Sequence, residues 1–262
     1  MKKFLVLFGA LTLSLTSCSS DDSSSDSQDT PNPPVSSVLV LLKKNISTDA
    51  NGNKIITNLE YDGNKIIKMT REGSTDGFYF TYNGNLITKE EFKYNGNVEL
   101  INKYEYDSNN FLISYVSTKP MDEYGRKEEY KYETDGSITV NTFAGGKFNG
   151  THMQTYSNGN LVKIVMTDPF NYVFTEEYEY DNKNNPSKNI LGFNKLINRS
   201  GGEGSLSSVN NTLKYTYSAS ANNNSPDVYK REIIYNNSGY PTKIISYKND
   251  GITVDRINEY TY

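Results

Sequence analysis

Phe80-Thr81-Tyr82-Asn83-Gly84-Asn85-Leu86-Ile87 decides the fold. Phe80 and Tyr82 flank a polar residue, the two-residue period of a strand with one packed face. Asn-Gly supplies the positive φ angles that a tight hairpin turn requires. Leu86-Ile87 then opens an apolar returning segment. The unit recurs along the chain. It appears as Leu59-Glu60-Tyr61, Phe92-Lys93-Tyr94, Tyr104-Glu105-Tyr106, Tyr130-Lys131-Tyr132 and Tyr178-Glu179-Tyr180. It continues as Tyr215-Thr216-Tyr217, Ile233-Ile234-Tyr235 and Tyr260-Thr261-Tyr262, with Gln154-Thr155-Tyr156 a weaker copy. The closing Tyr falls at 61, 82, 94, 106, 132, 156, 180, 217, 235 and 262. Several steps are 24 to 27 residues, and 82 to 94 and 94 to 106 are half steps of 12. A period near 24 fits two strands of about nine residues and two turns, at roughly 3.3 Å of rise per residue.

Alternation also assigns faces. In Glu128-Glu129-Tyr130-Lys131-Tyr132, residues 128, 130 and 132 share one side. Glu90/Phe92/Tyr94 and Glu176/Tyr178/Tyr180 repeat that split against Glu91 and Glu177. Adjacent strand residues point to opposite faces, so the doubled glutamates are not catalytic carboxylate pairs. The aromatic face is expected to be the packed one, since cross-strand aromatic pairs stabilise a sheet by roughly 0.2–1 kcal/mol each. A sharper reading makes part of it a ligand platform, with Tyr130, Tyr132, Tyr178 and Tyr180 as candidate binding residues.

Composition narrows the function classes. The 262 residues include 22 Tyr, 33 Asn, 19 Gly, one Cys and one His, with no Trp. One Cys excludes a disulfide scaffold and a Cys-rich zinc site. A net charge of −4 gives no basic footprint for nucleic acid. No cofactor or metal site is expected. Asp107-Ser108-Asn109 and Asp181-Asn182-Lys183-Asn184 carry oxygen ligands but lack EF-hand spacing, and turn chemistry explains them. His152 reads as a surface or satisfied residue.

The N-terminus reads as targeting. Lys2 and Lys3 precede an apolar stretch, Phe4 to Leu15, too short for a comfortable membrane span. Leu15-Thr16-Ser17-Cys18 resembles the bacterial lipobox, which implies cleavage before Cys18 and lipid attachment to its thiol. Residues 1–17 are then a signal peptide and the mature chain carries about −6, with 25 basic and 31 acidic residues. Residues 18–37 form a Ser/Asp/Pro tether. Within it, Ser20-Asp21-Asp22 looks like the acidic export signal of surface lipoproteins in Bacteroidota. Residues 38–262 form the repeat domain.

The Tyr-x-Tyr-Asp elements at 104–107 and 178–181, with Tyr61-Asp62, resemble the YD repeats of Rhs-type proteins. Asp122-Glu123-Tyr124-Gly125-Arg126 is an imperfect version of their core. Together with the lipobox, the chain is similar to YD-repeat-like lipoproteins of Bacteroidota. That resemblance implies arrays of antiparallel hairpins and transfers no catalytic residue. The chain is too short for the toxin-wrapping shell of Rhs proteins.

These readings give an all-β fold: an antiparallel meander of repeated hairpins, with roughly 16 to 20 strands, forming a rolled sheet or open barrel. The expected function is non-enzymatic. It is an outer-membrane lipoprotein, anchored through Cys18 and facing outward, that acts as a binding or structural module. A glycan or an envelope protein is the candidate partner. Two alternatives stay open. One is a hydrolase with acids such as Glu203 and Asp227 on the irregular 184–227 loops. The other is a transmembrane β-barrel, which aromatic Tyr262 and the strand lengths allow but which charge on both strand faces opposes.

Overall fold

The computed structural model describes residues 39–262 apart from positions 123, 169, 198–206 and 221–224. The expected signal peptide 1–17, the expected lipid site Cys18, the expected tether 18–37 and Glu203 lie outside the described residues. The strands begin with β1 (Lys44–Asp49), β2 (Lys54–Asp62), β3 (Lys65–Arg71), β4 (Gly77–Asn83), β5 (Leu86–Tyr94) and β6 (Asn97–Tyr106). Next come β7 (Leu112–Thr118), β8 (Arg126–Tyr132), β9 (Ile138–Ala144), β10 (Lys147–Ser157) and β11 (Asn160–Thr167). The last are β12 (Val173–Tyr180), β13 (Thr212–Ala219), β14 (Asp227–Tyr235), β15 (Pro241–Tyr247) and β16 (Val254–Thr261). Each pairs antiparallel with its sequence neighbour, and β1 pairs with β16, Lys44 opposite Thr261. The meander therefore closes into a sixteen-stranded barrel rather than stopping as an open sheet. Closure removes both unpaired edges, which would otherwise template aggregation.

The repeat explains one end of this barrel. Tyr61, Tyr82, Tyr106, Tyr132, Tyr156, Tyr180 and Tyr235 sit at the last inward position of an even-numbered strand, and Tyr262 follows one residue beyond β16. Most of their hydroxyls reach back to a main-chain carbonyl of the preceding hairpin. Tyr61 donates to Leu42 O at 2.6 Å, Tyr106 to Ile87 O at 2.8 Å and Tyr132 to Leu112 O at 3.2 Å. Tyr180 donates to Leu161 O at 2.7 Å and Tyr262 to Pro241 O at 2.9 Å. Each such bond is worth about 0.5–1.5 kcal/mol, and together they lace neighbouring hairpins into one ring. For Tyr106, Tyr132, Tyr180 and Tyr262 the accepting carbonyl stands just before a bulge. Ile67, Thr88, Ile113, Val162 and Thr242 are skipped in the pairing registers. A bulge adds one residue and local twist, so the strand re-aims behind its first inward side chain.

Tyr94 and Tyr217 do not belong to this ring. Tyr94 ends β5 beside the turn at the opposite end, which accounts for the half steps of 12. Tyr217 lies within β13, facing Glu176 and Asp227. In frame, Tyr180 is followed by Tyr235, 55 residues on, because an insertion separates β12 from β13.

That insertion is a plug. Residues 182–197 cross the tyrosine end, with a short 3-10 turn at Phe193–Lys195. Ile190, Phe193, Leu196 and Ile197 are buried in one cluster with Leu59, Ile66, Phe80, Ile87, Leu112 and Val140 of the wall. The Phe193 and Phe80 rings lie 5.9 Å apart. Leu191 N bonds Asn64 O at 2.9 Å, and Asn189 Nδ2 bonds Val40 O at 2.8 Å. Gly192 is left-handed (φ 81°), and a Cβ there would lie 3.1 Å from Asn85 O, so this approach requires glycine. The chain enters the body at this same end, where Leu42 meets Tyr61.

The faces follow the alternation. Glu90, Glu128 and Glu176 point inward, and Glu90 and Glu128 are buried. Their neighbours point outward and pair with lysines: Glu91 with Lys89, Glu129 with Lys127 and Glu177 with Lys163. Lys68–Glu60 and Lys214–Glu179 continue this charged outer wall.

Candidate functional site

Opposite the plug the barrel has a mouth, and between them lies a lined lumen. The β7–β12 side holds a cavity of about 590 Å³ bounded by Tyr115, Arg126, Glu128, His152, Phe174 and Glu176. That volume lies within the 300–1,000 Å³ usual for small-molecule sites. Its two glutamates occupy one repeat position: Glu128 and Glu176 each stand two residues before an inward tyrosine. Tyr130 Oη donates to Glu128 Oε2 and Tyr178 Oη donates to Glu176 Oε2. Arg126 Nη2 donates to Glu128 Oε1 at 2.5 Å. Asn102 takes the same place on β6, giving Nδ2 to Glu90 at 3.1 Å and accepting from Tyr115 Oη at 3.2 Å.

Burial pushes the Tyr130 and Tyr178 hydroxyls well above the ordinary phenol range, and the adjoining carboxylates push them further. They remain donors at neutral pH. Burial lowers His152, with Glu128 opposing and Arg126 assisting, so the imidazole is held toward its neutral form. It sits 3.3 Å from Gln154, itself fully buried, whose Oε1 accepts from Tyr156 Oη. The wall thus presents carboxylate, amide, imidazole and aromatic groups to anything that enters.

The candidate tyrosines divide by layer. Tyr130 and Tyr178 are buried and hold the cavity carboxylates in place. Tyr132 and Tyr180 belong to the closing ring; Tyr132 is 38% exposed with Phe111 packed 4.8 Å from its ring. Asp227 opens β14 and faces Tyr217; Asn249 Nδ2 donates to it at 2.6 Å. It lines a separate cavity of about 510 Å³ with Tyr215, Tyr229 and Arg231. The Asp/Asn turns bond to their own backbone: Asp107 Oδ1 accepts from Asn109 N and Phe111 N, each at 2.9 Å. Sequence reasoning set His152 aside and passed over Tyr115, Arg126 and Phe174. Their inward parity was available, but only closure brings β8, β10 and β12 around one space.

No protein-family model and no curated protein matches this chain. Among solved structures, a porin-like protein from Bacteroides uniformis is similar at a TM-score of 0.48 and 12% identity, covering 84% of this chain and 97% of that one. The TcdB2-TccC3 structure is similar at a TM-score of 0.31 and 20% identity, covering 80% of this chain and 9% of that one.

Proposed function

We propose that this protein is a non-enzymatic, lipid-anchored module of the outer membrane, exposed at the cell surface, whose barrel is a blind cup for a glycan or another envelope component. The plug is the observation that carries this reading. A channel needs two open ends, and here one is filled by a hydrophobic cluster. The outer wall supports a body in water. A membrane-spanning barrel presents an apolar band about 25 Å tall, and a Lys or Arg at its midplane costs about 2–4 kcal/mol. The ion pairs Lys89–Glu91, Lys127–Glu129 and Lys163–Glu177 stand on strands where that band would run.

Two experiments test this. Cys18→Ala is expected to release the protein from membranes, and protease added to intact cells is expected to degrade the wild type. A soluble wild type defeats the anchor, and a protected one defeats surface exposure. For binding, the purified mature chain is expected to retain glycans on an array and to show no hydrolysis of them. Turnover that falls when Asp227 is neutralised supports the hydrolase instead.

A further inference from the structure

The two ends of the barrel differ in what their turns carry. Because the chain is a meander, turns from odd to even strands lie at the mouth, and turns from even to odd strands lie at the plug. Both ends use one local device: an Asp or Asn side-chain oxygen accepts the main-chain N–H two residues on. At the plug end that second residue is polar: Asn109 after Asp107, Ser137 after Asp135, Lys183 after Asp181 and Ser238 after Asn236. At the mouth it is Tyr124 after Asp122, Phe170 after Asp168 and Ile252 after Asp250, with Asn51 after Asp49 a polar exception. The turn uses only the N–H of that residue, so turn chemistry does not call for an apolar side chain there.

These side chains are bare. Phe170 is 79% exposed and Ile252 82%, and Met121, in the loop of Tyr124, is wholly exposed. Phe148, two residues past Gly145-Gly146, is also exposed. Tyr124 lies over Gly146, where a Cβ would come within 2.9 Å of its ring. The tips of β7–β8, β9–β10 and β11–β12 therefore form one apolar arc, and β15–β16 extends it further round the mouth. Lys119, Lys147 and Lys248 stand in these same loops and make no ion pair among the described residues. The β1–β2 and β3–β4 turns, Ala50-Asn51-Gly52-Asn53 and Glu72-Gly73-Ser74-Thr75-Asp76, hold no large apolar residue.

Such an arc asks for a cover. A protein partner needs a closed patch of about 800 Å², but these tips stand round an opening. A bilayer needs no matching shape. Apolar side chains enter the boundary between headgroups and acyl chains, and lysines beside them reach lipid phosphates. A spanning barrel carries aromatic girdles at both ends, whereas this arc belongs to one. We infer that the mouth loops dock the barrel on a lipid bilayer, with Met121, Tyr124, Phe148, Phe170 and Ile252 entering the interface. The polar β1–β2 and β3–β4 turns stay in water, so the mouth tilts toward the membrane without sealing against it.

The test is co-sedimentation of residues 18–262, made without lipid on Cys18, with vesicles of phosphatidylethanolamine and phosphatidylglycerol. Binding is expected, and it is expected to fall at least tenfold in Phe170→Ser and in Ile252→Ser. Ile67→Ser, on the outer wall near the plug, is expected to leave it unchanged. Circular dichroism checks that each variant folds. The chain has no Trp, so Phe170→Trp reports its own surroundings. Its emission is expected to shift to shorter wavelength with vesicles, while that of Ile67→Trp stays put. No vesicle binding, or binding that survives both mouth substitutions, overturns the docking. So does a shift in Ile67→Trp with Phe170→Trp silent. Self-association without vesicles that the mouth substitutions abolish assigns the arc to a second copy and overturns it too. None of these outcomes bears on glycan retention, so the cup stands or falls separately.

Discussion

Above pH 10 the barrel is expected to lose its strand signal in one cooperative step, together with the ionisation of its tyrosines. Burial raises Tyr82 and Tyr132 to about 12, and raises Tyr61, Tyr106, Tyr156 and Tyr262 beyond that range. Neighbouring ring members add to the rise at Tyr61 and Tyr106. The sign follows from proton counting. An unfolded tyrosine gives up its proton near pH 10, while a ring tyrosine keeps it to 12 or above. Over that interval the unfolded chain binds fewer protons than the barrel, so stability falls as pH rises. The stabilisation is complete below pH 10 and is lost through the folded values. Each tyrosine held protonated contributes at most about 1.4 kcal/mol per pH unit, and less where it is partly wet. Several acting together exceed a typical stability of about 5–15 kcal/mol within two or three pH units.

Tyrosinate absorbance and far-ultraviolet circular dichroism, followed together from pH 9 to 12.5, check this. Tyrosines that ionise near pH 10 while strand signal persists would show a wet ring and overturn the expectation. Tyr106→Phe separates the two roles of one hydroxyl. It removes the bond to Ile87 O, so the variant should be less stable at pH 8 by about 0.5–1.5 kcal/mol. It also removes one titrating group, so its decline above pH 10 should be shallower.

The same ring shows how far the residues alone could be read. Phe80-Thr81-Tyr82-Asn83-Gly84 contains its strand and turn locally, because parity and Asn-Gly geometry act over a few residues. The doubled glutamates were legible for the same reason: Glu128 and Glu129 had to part. Closure was not, since the pairing of Lys44 with Thr261 joins residues at opposite ends of the sequence. Tyr94 and Tyr217 match the local pattern yet lie outside the ring. Tyr106, Tyr132, Tyr180 and Tyr262 are tied into it by a carbonyl standing just before a bulge, and that partner lies 19 to 21 residues away in sequence. The plug was the hardest to see. Residues 184–227 read as irregular loops, and only the ring of inward apolar residues beneath gives Phe193 and Leu196 somewhere to go. The cavity residues Arg126, His152 and Glu176 stand on three different hairpins, so their meeting depends on barrel curvature.

Leu196→Ala is expected to destabilise the whole barrel by about 2–5 kcal/mol, the range for removing a fully buried leucine side chain. Leu196 has no exposed surface and shares its cluster with Phe80, Ile87 and Val140 of three different strands. For a domain of this size that loss lowers Tm by roughly 5–15 °C. Ile67→Ala makes the control: Ile67 is 45% exposed in a bulge on the outer side, and surface changes of that kind stay within about 0.5 kcal/mol. Calorimetry distinguishes two pictures of the plug. If it is part of the core, Leu196→Ala shifts one cooperative transition. If it is a separable stopper, Tm holds while protease cuts residues 182–197 faster, because local opening then costs less than global unfolding. The hydrogen bonds from Leu191 to Asn64 and from Tyr82 to Leu191 O favour the first, since they tie the plug to the same hairpins that the tyrosine ring laces. A plug that opened alone would strip the carbonyl from Tyr82 and uncover Ile66 and Ile87, both fully buried, to water. That exposure is an apolar penalty of about 1.5–3 kcal/mol for each side chain, so opening the plug and losing the barrel should be one event.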